Sequence, residues 1–181
     1  MVLLVLSGAV AGFTGGGGGE GAGILGLVAF LFIVGGGITG ALGYFGLGSM
    51  YGGTNTLAGV FSIIFAVVPI ALIVLGTSGG MGGMGALKII LILVFGVPGL
   101  LGLLGGMGVM KASNSMAKPA GLVSLIGGIA LLAMTVLLLV GSPQMMVDMA
   151  SIFQILTYVG FFGTAVGFFL TGAAMLGEKN A

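Results

Sequence analysis

Charge is so sparse in this 181-residue chain that the intervals 1–19, 21–87, 89–110, 119–147 and 149–177 carry none. Four basic and three acidic side chains are all it has, 4% of the sequence, while 59% is hydrophobic. A soluble domain needs roughly 25% charged residues to clothe its surface in water. A bilayer-spanning helix needs about 20 apolar ones, and every long uncharged interval supplies at least that or nearly so. The chain is therefore expected to be an all-α integral membrane protein, a compact glycine-rich bundle of transmembrane helices joined by short loops.

The charges and turn residues divide the chain into five segments, at 22–48, 57–76, 87–110, 119–141 and 149–177. Between the first two there is no charge, only the small polar run Ser49-Met50-Tyr51-Gly52-Gly53-Thr54-Asn55-Thr56, which reads as a turn. Connections this short leave no room for a soluble domain, so residues 1–181 are expected to form one membrane domain with antiparallel neighbours. The N-terminal stretch 1–19 is apolar and about long enough to cross, but it ends in five consecutive glycines. It is read as an open sixth segment. Its Ala9-Val10-Ala11 resembles a signal-peptidase site, although no positive residue precedes it.

In this register Lys111, Lys118, Glu178 and Lys179 gather on one side, and Glu20, Lys88 and Asp148 on the other. Loops rich in lysine stay in the cytoplasm, which places the C-terminus there. Each ionisable group has a conservative role at a segment end. Glu20 is an interfacial anchor, with an ion-binding carboxylate as the alternative. Lys88 snorkels to the headgroups, and Asp148 caps the last helix. None of them is forced to the bilayer centre, which argues against a proton pump or a carrier of charged solutes.

Glycine is the positive signal, at 41 residues, about three times its ordinary share of ~7%. It recurs at four-residue spacing as Gly8/Gly12, Gly19/Gly23, Gly36/Gly40, Gly102/Gly106 and Gly163/Gly167. A helix face without side chains lets a second backbone come close, and van der Waals contact then does what the hydrophobic effect cannot do inside lipid. Gly36, Gly40, Gly102, Gly106, Gly163 and Gly167 are the helix-packing candidates. Such faces serve either the chain's own bundle or a contact with another molecule.

Chemical side chains are nearly missing. Without His, Cys, Arg or Trp there are no customary ligands for zinc, haem or iron-sulfur clusters, no imidazole base and no thiol nucleophile. No catalytic residue, cofactor or metal is expected, and the net charge of +1 draws no nucleic acid. Gly21-Ala-Gly23-Ile-Leu-Gly26 and Gly35-Gly-Gly37-Ile-Thr-Gly40 match a dinucleotide fingerprint only because glycine is so frequent, and no acidic residue follows at the required distance. Met81/Met84, Met107/Met110 and Met145-Met146-Val-Asp-Met149 offer soft sulfur that suits Cu(I). Apolar gap-filling explains them better, since no His or Cys stands beside them. Pro69 and Pro98 interrupt their helices, and Gly96-Val-Pro98-Gly99 is expected to kink the third.

The last helix alone distinguishes its faces. Ser151, Gln154 and Tyr158 form a polar stripe. Gln154, with Tyr158 a candidate polar contact, is expected to be buried against another helix, because an unpaired amide in hydrocarbon costs several kcal/mol. Two functions follow. A non-catalytic helix-packing subunit of a larger membrane complex would have the bilayer, other transmembrane subunits or copies of itself as partners. A homo-oligomeric channel for ions or a small neutral solute would instead use Ser49, Thr54, Asn55 and Thr56 on one side and Ser113, Asn114 and Ser115 on the other as polar mouths.

Overall fold

The computed structural model describes residues 20–77, 84–113 and 115–178. Segment 1–19, with Gly8, Gly12 and Gly19, lies outside the described residues, as do Met81, Asn114 and Lys179. The described residues are helical and contain no strand. In order they form α1 (Glu20–Tyr51), α2 (Gly53–Thr77), α3 (Met84–Leu91), a π-helical turn (Ile92–Gly96), α4 (Val97–Val109), α5 (Ala117–Val140), α6 (Pro143–Asp148) and α7 (Ala150–Glu178). Five helical stretches among them are long and apolar enough to cross a membrane: Ile33–Tyr51, Gly53–Leu72, Lys88–Val109, Ala117–Val140 and Ala150–Ala173. Helix pairs backbone N–H groups with carbonyls of the same segment, the requirement that hydrocarbon imposes, and glycine-rich stretches obey it here.

The chain packs as a serpentine in which each long helix lies chiefly on the next: α1 on α2, α2 on α4, α4 on α5, and α5 on α7. The rod made of α3, the π turn and α4 is central, with α4 also reaching α1 and α7. Tyr44, Leu47, Ala58, Leu101, Val109, Ala112, Ala117 and Ala120 form one buried cluster where α1, α2, α4 and α5 meet. Phe95, Leu131, Met134 and Phe153 form another nearer the opposite end. Large apolar side chains such as Leu42, Val74, Ile126, Val140, Phe162 and Phe169 face outward, as lipid-facing positions do.

Two connections differ from the sequence expectation. The run 49–56 does not form an extended turn. Helix α1 continues to Tyr51 and α2 starts at Gly53, so Gly52 is the one residue between them. It adopts φ +99°, a conformation open to glycine without steric cost. Its N–H closes the end of α1 on the Gly48 carbonyl at 3.0 Å, and its own carbonyl accepts the Asn55 N–H at 3.2 Å. Asp148 does not begin the last helix either. It ends α6, and its Oδ1 accepts from Gln144 Nε2 at 3.2 Å.

The break expected around Pro98 takes a specific form. A proline inside an α-helix supplies no N–H, and its ring collides with the carbonyl four residues back, here Val94. The preceding turn widens instead, with the Val97 N–H reaching the carbonyl of Ile92. One extra residue is thereby accommodated and the rod continues on both sides. At Pro69, α2 simply runs through.

Candidate functional site

The interior of the bundle is organised by glycine backbone. A Cβ built at Gly102 would stand 3.0 Å from Gly128 Cα and from the Ser124 carbonyl; at Gly106 it would meet the Gly121 carbonyl at 2.5 Å. These two glycines therefore seat α4 on α5. On α7, a Cβ at Gly163 would approach Gly127 Cα to 2.9 Å, and one at Gly167 would run into Ser124, 2.5 Å from its Cβ. Gly160 sits against Leu131 in the same way. At Gly40 the nearest atom is Ser62 Oγ, 2.8 Å from the built Cβ. Gly36 differs: a Cβ built there would meet nothing within 4 Å. The neighbouring Gly37 occupies the contact instead, against Ala66 and the Ser62 carbonyl.

Close approach has a chemical consequence that glycine spacing does not reveal. Three buried polar side chains reach across to glycine carbonyls of the adjacent helix. Ser62 Oγ of α2 donates to Gly37 of α1 at 2.9 Å, Ser124 Oγ of α5 donates to Gly102 of α4 at 3.1 Å, and Asn55 Nδ2 of α2 donates to Gly108 of α4 at 3.3 Å. A carbonyl has two lone pairs, so one serves the helix and the other accepts the neighbour. The sequence signal for such a contact is a lone Ser or Asn inside an apolar run that faces a glycine-rich partner. By contrast Thr135, Thr157 and Thr171 turn back to carbonyls four residues earlier in their own helices.

Asn55, expected in a polar mouth, is instead fully buried, with 0% of its surface exposed. The two polar runs also stand at one end of the bundle, since Lys111 Nζ donates to Thr54 Oγ1 at 3.1 Å. An odd number of crossings would be needed to separate them, whereas α2 and the α3–α4 rod make an out-and-back pair. Residues 49–56 therefore do not form a mouth opposite Ser113 and Ser115.

Gln154 and Ser151 are exposed on α7, and Tyr158 is 42% exposed, its ring 6.5 Å from that of Phe162. No other described helix of this chain covers Gln154, contrary to the burial expected of it. The face that α7 does turn inward carries Gly160, Gly167, Thr164 and Thr171. Among the described residues, three buried side-chain oxygens have no hydrogen-bond partner: Tyr44 Oη, Asn55 Oδ1 and Thr164 Oγ1. Comparison with known proteins finds no family model, no curated protein and no solved structure that matches the chain.

Proposed function

We propose that the chain is a non-catalytic, helix-packing subunit of a larger membrane complex, with its C-terminus in the cytoplasm. One observation carries this reading: among the described residues, the mid-helix glycines left without an internal partner lie on the two helices that end the serpentine. A Cβ built at Gly35, Gly36 or Gly46 on α1, or at Gly172 on α7, would meet no neighbouring helix within 4 Å. Glycine on a lipid-facing surface contributes no apolar side chain to lipid and weakens the helix by roughly 1 kcal/mol against alanine, whereas at a helix–helix contact it permits close backbone packing. The exposed Gln154 amide adds a polar group that a neighbouring transmembrane segment would satisfy.

Native mass spectrometry after extraction in mild detergent tests the proposal. The expected result is a complex containing this chain together with other membrane subunits or further copies. A lone monomer at every detergent condition overturns it. Ion or solute flux above background in proteoliposomes of the purified chain would transfer the assignment to a channel.

A further inference from the structure

A cation heads the outward face of α5. Lys118, the second residue of the span Ala117–Val140, is exposed, and Leu122, Ile126, Ile129, Val136 and Val140 are exposed below it. A helix turns about 100° per residue, which brings all of these positions within about 80° of one another. They form one ridge. The opposite face of α5 is spent on packing, with Gly121, Ser124, Gly127 and Gly128 buried against α4 and α7. Neither of the other described lysines stands over such a ridge. Lys88 is followed by exposed Ile89 and Ile92, but Phe95 and Gly96, the next positions on that side, are buried. Lys111 lies past the end of α4, whose last turns bury Gly105, Gly108 and Val109, and its ammonium is held by Thr54.

We infer that this ridge binds an anionic phospholipid, with the phosphate on the Lys118 ammonium and an acyl chain laid along Leu122, Ile126 and Ile129. An ammonium is a compact point charge suited to phosphate, and its four-carbon stem reaches the headgroups from a backbone position just inside the span. From Lys118 to Ile129 the helix rises about 16 Å, close to the ~15 Å that one leaflet contributes to the hydrocarbon core. Ridge and lysine thus match a lipid in length and in the order of its parts. Charge selects the class of lipid. Helix α5 starts with no side-chain cap, so the positive end of its dipole adds to Lys118. Helix α7 runs antiparallel to α5, with Gly160 at Leu131 and Gly167 at Ser124, and therefore ends here on Glu178, a single acid against Lys111 and Lys118. The field at this corner is positive, and a lipid without net charge gains little from it.

Lipid binding to the purified full chain tests the inference separately from any role in a complex. Native mass spectra are recorded with equal amounts of phosphatidylglycerol and phosphatidylcholine. The parent and Lys88→Gln are expected to retain the anionic lipid about fivefold over the zwitterionic one, and Lys118→Gln less than about twofold. A parent without preference, or equal losses in the two variants, overturns the assignment. Displacement of phosphatidylglycerol by excess inorganic phosphate also overturns it, since the site would then serve a free anion. The path of the acyl chain has its own readout. A dye on Ile126→Cys in proteoliposomes is expected to be quenched more by nitroxide-labelled phosphatidylglycerol than by nitroxide-labelled phosphatidylcholine, and equally by both once Lys118→Gln is added. Quenching by neither lipid would mean that a second copy of the chain covers the ridge, and overturns the proposal.

Discussion

Alanine at position 36 and alanine at position 102 are the same chemical change with opposite expected outcomes. Gly36 faces open space, so Gly36→Ala is expected to leave stability unchanged or raise it by up to about 1 kcal/mol through helix propensity. Gly102→Ala puts a methyl 3.0 Å from Gly128 Cα, must push the two backbones apart, and is expected to cost about 1–3 kcal/mol. Thermal unfolding of the chain in detergent, separated from other subunits, checks both, and equal shifts would contradict the packing described. Ser124→Ala removes a bond to the Gly102 carbonyl and is expected to cost less, nearer ~0.6 kcal/mol. On α7, Gly163→Leu and Gly167→Leu should loosen the bundle more than Gln154→Leu does, because the glycines abut α5 and the glutamine is exposed. Four-residue spacing finds Gly40, Gly102, Gly106, Gly163 and Gly167 at contacts but chooses Gly36 where Gly37 does the packing. Three consecutive glycines at 35–37 point in directions about 100° apart, so spacing alone does not choose among them. The contacts of Ser62, Ser124 and Asn55 depend on the phase of two helices at once, which a single sequence does not state.

At the scale of elements, long helices are legible because the absence of charge over a span's length has few other meanings. Their ends are less so. Thr54, Asn55 and Thr56 look like turn residues, yet lie in α2, since Gly52 alone reverses the chain and Asn55 finds its partner on α4 rather than in a loop. The π turn at Ile92–Gly96 follows from a rule of local sterics, and it is testable as one. Deleting Ile92, which is exposed, would convert the widened turn into ordinary α-helix without rotating the segments on either side, but would return the Val94 carbonyl to the path of the Pro98 ring. The deletion alone is expected to destabilise by about 3 kcal/mol. Combined with Pro98→Ala it should recover most of that loss in the same unfolding assay. If the proline replacement brings no recovery, the π turn has another cause.

For the whole molecule, the absence of cysteine makes topology straightforward to examine. Ser115 and Ser142 are exposed near opposite ends of α5. With the lysine-bearing loop in the cytoplasm, Ser142→Cys should react with a membrane-impermeant maleimide in intact cells, and Ser115→Cys only after the membrane is opened. The reverse pattern would invert the orientation. The serpentine packing also has a consequence in time. Because each long helix rests chiefly on its sequence neighbour, a nascent chain meets its correct partner as soon as the next segment leaves the ribosome, and no long helix waits for one not yet made. Local pairing of this kind keeps loop-closure entropy small. The last described helix, α7, adds a contact that sequence order alone does not supply: its Phe168 meets Tyr44 of the first described helix, so the two ends of the serpentine are tied together where α1, α2 and α4 already meet.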